Sequence, residues 1–141
     1  MKSYVLDASA LLRFIEDGPG AGRVEDLINQ AEDGRASLSV SSINWGEVYY
    51  VIYRAEGPSQ AESFSAQFSI LPIDVVEADR SRAEHAGRFR GKFRLPYADA
   101  FAAALTAEKT ASLVTADYDF KNVDKEISVE FLPQKQKKPA H

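Results

Sequence analysis

The sequence contains no cysteine and only two histidines among its 141 residues. Disulfide bonds and thiolate metal sites are therefore excluded, and we expect the protein to work in the reducing cytoplasm. Because imidazole is scarce as well, we expect any metal site to consist mainly of oxygen ligands. Oxygen ligands favour magnesium or manganese over zinc, which binds mostly to cysteine and histidine.

Long apolar runs are absent too, so the sequence predicts no membrane-spanning helix. The first predicted strand starts so close to Met1 that we also expect no signal peptide. An apolar fraction of 45% and a charged fraction of 27% are ordinary for a globular protein. We predict one domain over residues 1–133 and a disordered basic tail over residues 134–141, where three lysines occur without apolar periodicity.

Negative charge dominates the chain as a whole, but one stretch is strongly basic. The net charge is −4, whereas residues 80–94 contain six basic residues and one acid, a net charge of +5 that leaves −9 for the rest. A basic patch of this kind favours contact with a polyanion such as nucleic acid. A solvated helix face explains the same stretch equally well.

Short apolar runs alternate with segments of helical periodicity along the chain. These runs predict strands over residues 4–6, 36–40, 72–76 and 111–115, with a possible fifth strand over residues 129–132. Strands that alternate with helices form a central parallel sheet covered by helices on both faces. We therefore predict an α/β protein, a three-layer α/β/α sandwich around a parallel sheet.

Four acidic residues stand where this fold would bring them to one edge of the sheet. Asp7 and Asp117 directly follow predicted strands, and Glu47 and Asp99 lie near the starts of predicted helices. Open α/β sheets bind their ligands at the carboxyl ends of the strands. Each acid also has a structural explanation, since acids are common as helix caps, in the first turns of helices and in tight turns.

Clustered carboxylates repel one another; two of them about 4 Å apart cost on the order of 4 kcal/mol at an effective dielectric constant of about 20. A fold keeps such a cluster where a divalent cation compensates it, and carboxylate and water ligands suit Mg²⁺. One or two such ions can activate water for an attack on phosphorus. The four acids therefore indicate phosphodiester hydrolysis that needs no cysteine, histidine or serine nucleophile.

The same residues resemble the PIN-domain nucleases and, within them, the VapC-like toxins of type II toxin–antitoxin pairs. The resemblance spans residues 4–132 and rests on four motifs in order: VLDASA at 5–10, NWGEV at 44–48, LPYADA at 95–100 and LVTADYDF at 113–120. It implies a metal-dependent endoribonuclease that uses magnesium or manganese, forms homodimers and is held by an antitoxin protein. The catalytic and metal-binding acids that it implies are Asp7, Glu47, Asp99 and Asp117, with Ser9, Asn44 and Thr115 as supporting polar residues.

An RNA substrate would give the basic stretch a role. We predict that its last four basic residues hold RNA phosphates: Arg88, Arg90, Lys92 and Arg94. Asp119 is a fifth acid in the last motif, and no role follows for it from the sequence.

Two alternatives to a nuclease remain open, namely a phosphoacceptor α/β module and a non-catalytic module that binds magnesium through its strand-end acids. A phosphatase of the haloacid dehalogenase kind would have a second aspartate at position 9, where this chain has Ser9. A receiver domain would have paired acids near the end of its first strand, and residues 4–6 do not provide them.

Overall fold

The computed structural model describes residues 1–135 and contains a five-stranded parallel sheet between two layers of helices. This architecture confirms the predicted three-layer sandwich. The strands are β1 (Lys2–Leu6), β2 (Ala36–Ser41), β3 (Ile73–Val76), β4 (Ser112–Thr115) and β5 (Ser128–Phe131). Their order is β3-β2-β1-β4-β5, and every neighbouring pair is parallel. Of the predicted tail, Gln134 and Lys135 belong to the described part, and residues 136–141 lie outside it.

Within residues 1–135, six α-helices flank the strands, and side-chain caps begin three of them. The helices are α1 (Ala8–Ile15), α2 (Ala21–Glu32), α3 (Ser42–Glu56), α4 (Pro58–Phe68), α5 (Arg80–Phe93) and α6 (Tyr97–Glu108). Asp7, Ser41 and Asp79 accept hydrogen bonds from the first turns of α1, α3 and α5. None of the helices within residues 1–135 is long and apolar enough to cross a membrane.

Helix α5 continues to Phe93 because Phe89 and Phe93 pack against the core below them, and Arg94 ends it in the left-handed conformation. A short 3₁₀ helix, Tyr118–Val123, was not predicted at all. It begins where the Asp117 side chain accepts a hydrogen bond from the amide of Asp119 at 2.9 Å.

The sheet separates two apolar cores, and β1 contributes to both. Tyr4 and Leu6 belong to the core under α1 to α4, whereas Val5 belongs to the core under α5 and α6. A strand buried on both faces reads as a continuous apolar run, which is why residues 4–6 were recognisable. Helix α6 is buried on most sides because its small side chains let α5 pack directly over it: Ala100, Ala102, Ala103 and Ala104.

The residues after β5 are tied to the carboxyl edge of the sheet. Leu132 donates its amide to the Thr115 carbonyl at 2.8 Å, and its own carbonyl accepts the Tyr118 hydroxyl at 2.8 Å. On its other side Leu132 touches Gly20, which has a φ of 93°, and a Cβ at that position would come within 2.8 Å of the Leu132 Cβ. Leu132 and Pro133 are therefore fixed beside the ends of β1 and β4.

Candidate active site

Asp7 leaves the central strand β1 and combines two roles in one carboxylate. It is 3% exposed, and its Oδ1 accepts hydrogen bonds from Ser9 Oγ at 2.7 Å and from the Ala10 amide at 2.9 Å. Its Oδ2 accepts the Thr115 hydroxyl at 2.6 Å. The helix-cap explanation for Asp7 is thus correct for one oxygen, while the other oxygen belongs to the edge between β1 and β4.

Ser9 and Thr115 join the end of β1 to the loop after β4. The Thr115 hydroxyl lies 3.2 Å from Ser9 Oγ and also accepts the Asp117 amide at 2.9 Å. Ser9 Oγ in turn accepts the Ala116 amide at 2.9 Å. These bonds hold Asp7 and Asp117 on neighbouring strand ends. Asp119 contributes its backbone to this turn, and its side chain is exposed.

Asn44 joins the start of α3 to the start of α6. It is 1% exposed, and its Nδ2 donates to Glu47 Oε1 at 3.0 Å and to the Ala98 carbonyl at 3.1 Å. Asp99 directly follows that carbonyl in the first turn of α6. Asn44 therefore sets the position of Glu47 relative to Asp99. Its Oδ1 is buried without a hydrogen-bond partner in residues 1–135.

The pKa values of two of the four acids are raised, which shows that all four interact. Burial, together with the negative charges of Asp117, Asp7 and Glu47, raises the pKa of Asp99 from 3.8 to about 7. Burial also raises the pKa of Asp7 to about 6, although hydrogen bonds from Thr115, Ala10 and Ser9 oppose that shift. No arginine, lysine or histidine of residues 1–135 forms an ion pair with any of these acids.

The donor set at this edge fits a hydrated divalent cation better than a closed metal cage. Within residues 1–135, no three acidic or histidine side chains form a ready-made metal site. The four acids nevertheless interact electrostatically, since Coulomb forces act over longer distances than metal–ligand bonds do. Mg²⁺ is typically held by one or two carboxylates together with water and substrate phosphates. Aspartate and glutamate oxygens beside serine and threonine hydroxyls are suited to that mode of binding.

The basic residues predicted to hold RNA differ in how far they are already engaged. Lys92 forms an ion pair with Glu126 at 2.9 Å, and Arg90 donates to the Leu95 carbonyl at 2.7 Å. Arg88 and Arg94 are exposed and form no ion pair with any residue of 1–135. Helix α5 thus leaves Arg88 and Arg94 as its most available cations.

A groove of about 570 Å³ lies beside Asp117 and was not foreseen from the sequence. Besides Ser9 and Asp117, it is lined by Arg13 and Glu16 of α1 and by Lys135 after β5. One signal could have directed attention to it. Arg13 is a single charge inside an otherwise apolar helix, and it is buried with an exposed fraction of only 8%.

The sheet order, the helices on both faces and the acids at the carboxyl edge define an α/β protein of a recognisable class. Residues 4–126 match the family model of the PIN domain. The chain belongs to the PIN domain family. No curated protein matches it in a comparison of sequences.

Solved structures of toxin–antitoxin proteins share the fold. VapBC2 from Rickettsia felis, bound to a DNA fragment from its promoter, matches with a TM-score of 0.74 and 18% identity over 93% of this chain and 99% of the other. DNA-bound VapBC from Salmonella typhimurium matches with a TM-score of 0.71 and 18% identity, over 93% of this chain and 98% of the other. VapC20 from Mycobacterium tuberculosis is a toxin that cleaves the sarcin–ricin loop. It matches with a TM-score of 0.71 and 18% identity, over 92% of this chain and 99% of the other. At such low identity these similarities establish the fold.

Proposed function

We propose that the protein is a metal-dependent endoribonuclease and the toxin of a toxin–antitoxin pair. The observation that carries the proposal is the group formed by Asp7, Glu47, Asp99 and Asp117, which interact at one sheet edge without a cationic partner in residues 1–135. Membership of the PIN domain family and the fold shared with VapC20, which cleaves RNA, support this choice. Mg²⁺ or Mn²⁺ is the proposed cofactor.

In the proposed reaction, the side chains bind, orient and exchange protons. Asp7 is held in one orientation by three hydrogen bonds, and Thr115 keeps Oδ2 at the strand edge. Asp99, with a pKa of about 7, can take up or release a proton at its carboxyl group near neutral pH. When bound at these carboxylates, the metal ion supplies activation of water and neutralisation of charge on the phosphate.

The experiment is cleavage of an RNA mixture by the purified protein, with and without added metal. We expect cleavage with Mg²⁺ or Mn²⁺ and none in chelator. Asp99→Asn should be inactive, and the matched control Asp74→Asn, at an exposed acid of β3, should cut normally. Undiminished cleavage in chelator would contradict the metal dependence. A folded wild-type protein that cuts no RNA in any metal would contradict the proposal itself.

Two partners are part of the proposal. VapBC2 and the Salmonella VapBC are toxin–antitoxin systems, and we propose that this chain also binds a small antitoxin. We further propose that it forms a homodimer. A basic antitoxin side chain would complement the uncompensated acids. Expression with the neighbouring gene, followed by purification and light scattering, tests both points. A monomer that retains no partner would contradict them.

The phosphoacceptor alternative has less support. A receiver-type aspartate must be reached by a phosphodonor, and the Asp7 side chain is nearly inaccessible and accepts three hydrogen bonds. Incubation with acetyl phosphate and mass measurement of the intact protein would reveal a phosphorylated aspartate. We expect no added mass.

A further inference from the structure

Arg13 is a buried arginine, and only one nitrogen of its guanidinium forms hydrogen bonds within residues 1–135. Its Nη1 donates to two backbone carbonyls, Pro19 O and Pro133 O, both at 2.7 Å. These bonds tie α1 to the loop before α2 and to the segment after β5. Nε and Nη2 make no hydrogen bond to any residue of 1–135, and neither is sealed from solvent.

The free edge of Arg13 is the one that this protein uses elsewhere to bind carboxylates. Arg23 places Nε and Nη2 on Glu130 at 2.7 and 3.1 Å, and Arg82 places the same two nitrogens on Glu108 at 3.1 and 3.0 Å. This edge presents two parallel N–H groups that match a carboxylate or a phosphate. Arg13 is among the residues that line the groove beside Asp117, and its Nε and Nη2 pair with no acid of residues 1–135.

The neighbouring acid does not supply the missing partner. Glu16 lines the same groove but forms no ion pair with Arg13; its carboxylate lies 3.8 Å from the Lys135 ammonium, a loose surface contact that fixes neither side chain. A buried guanidinium normally has a counter-charge, because removal of an ion from water is costly. The groove has about 570 Å³, which is within the range of pockets that hold small ligands. An anion in the groove would accept hydrogen bonds from Nε and Nη2 of Arg13 and balance its charge.

We propose that Arg13 and Lys135 bind a phosphate of the RNA backbone next to the phosphate that is cut, in the groove that leads away from Asp117. This inference rests on the proposed nuclease function and deepens it by assigning where the RNA strand runs. Ser9 and Asp117 line the same groove, so this space adjoins the acids at which the strand would be cut. The contact is to the backbone, and it therefore adds affinity without sequence preference.

The experiment measures binding of a fluorescent single-stranded oligoribonucleotide to the full chain in chelator, where the proposed activity is off. Three variants are compared with wild type across a salt series: Arg13→Met, Lys135→Gln and, as a matched control, Arg35→Met. Arg35 is an exposed arginine paired with Asp33 at the opposite edge of the sheet. Circular dichroism and thermal melts establish that each variant is folded.

We expect Arg13→Met to weaken binding about tenfold and to reduce the slope of log K against log salt by about 0.7, the value for one phosphate of a single strand. Lys135→Gln should reduce the slope in the same direction by a smaller amount, and Arg35→Met should leave it unchanged. If Arg13 served only to hold the Pro19 and Pro133 carbonyls in place, Arg13→Met would melt at a lower temperature but keep the wild-type slope of log K against log salt. That outcome would overturn the inference.

A second measurement covers the case in which Arg13→Met does not fold. Wild-type protein is titrated with inorganic phosphate, and the Arg13 Nε–H resonance is followed by NMR with sodium chloride at matched ionic strength as the control. A saturable shift with phosphate alone is expected, and its absence would overturn the inference. If wild type binds RNA and the variants bind it equally, only this inference fails. If wild type binds no RNA, the proposed function fails with it.

Discussion

Three basic residues of α5 form ion pairs with acids, whereas the acids at the carboxyl edge of the sheet form none within residues 1–135. On α5, Arg80 and Arg82 each pair with an acid, and so does Lys92. Asp7 is buried and Asp99 is half-buried, and neither pairs with a cation of residues 1–135 although further carboxylates lie near them.

Under the proposed function, this difference separates charge that stabilises the fold from charge that serves the site. Exposed ion pairs contribute about 0–1 kcal/mol each, so α5 gains a little stability from its pairs. Interacting carboxylates with raised pKa values cost stability, and such groups are concentrated at sites of chemistry. The first region should therefore tolerate loss of charge at a small cost in stability. The second should gain stability from such a loss and lose function.

The largest expected effect comes from Asp99→Asn. It keeps the shape of the side chain and removes one charge, so activity should fall at least about 100-fold, as for loss of a general acid or base. In chelator at pH 8 the variant should melt higher than wild type, because the repulsion from Asp117 and Asp7 is relieved. Added Mg²⁺ should raise the melting temperature of wild type more than that of the variant.

The control for this substitution is again Asp74→Asn, which should leave both melting temperatures unchanged. If Asp99 served only the dipole of α6, its loss would cost a few tenths to about 1 kcal/mol in chelator. A variant that melts lower than wild type and gains equally from Mg²⁺ would therefore remove Asp99 from the proposed metal site.

The pH dependence of stability in chelator is the next effect in size. The pKa of Asp7 is about 6 and that of Asp99 about 7 in the folded state, above the value of 3.8 for an ordinary aspartate. The folded state thus holds protons that the unfolded state has released, and this stabilisation is complete below about pH 4. It should be lost as the pH rises to about 7. Chemical denaturation at several pH values measures it.

Asp99→Asn provides the comparison, because it removes the group that titrates highest. Its stability should fall less steeply than that of wild type between pH 5 and about 7. Parallel curves for the two proteins would mean that Asp99 has an ordinary pKa and that the acids do not interact.

A smaller loss of stability is expected for Thr115→Val. This substitution removes the hydroxyl that donates a hydrogen bond to Asp7 Oδ2 at 2.6 Å. A carboxylate that loses its donor while buried costs about 1–3 kcal/mol. Thr106→Val is the matched control, since Thr106 is equally buried but donates only to the Ala102 carbonyl within its own helix. Urea denaturation of both variants decides the point. Equal losses would mean that Thr115 matters for its burial and not for Asp7.

The smallest effects concern α5 itself, where a paired and an unpaired arginine can be compared. Arg82→Gln breaks the bonds to Glu108 and should cost no more than about 1 kcal/mol, without changing RNA binding. Arg88→Gln should leave stability unchanged but reduce the salt slope of RNA binding by about 0.7. If the salt slope of RNA binding by Arg88→Gln equalled that of wild type, Arg88 would contact no RNA phosphate.

The parts of the molecule that were predictable from the sequence are those encoded locally. The apolar run at residues 4–6 depends on neighbours within a few positions, so the strand was recognisable. Parallel connectivity then implied that strand ends share one edge, which placed Asp7 near Asp117. The structural and functional explanations of Asp7 proved compatible, because its two oxygens have different partners.

The remaining features depend on residues that are far apart in sequence. Asn44 reaches Ala98, 54 positions away, and Arg13 reaches Pro133, 120 positions away. No periodicity or motif predicts such contacts, because they arise only when helices and loops pack. The pKa of Asp99 was unpredictable for the same reason, since it depends on burial and on three acids from other segments.

The hydrogen bond between Thr115 and Asp7 joins residues 108 positions apart, and this separation matters while the chain is being made. A ribosome adds about 5–20 residues each second, so roughly 5 to 20 seconds pass between synthesis of the first acid and of the last. The central strand β1 also lacks its neighbour β4 during that time. A nascent chain therefore cannot assemble the complete set of acids until β4 and the turn after it have been made, so the fold itself delays the proposed site to the last part of synthesis.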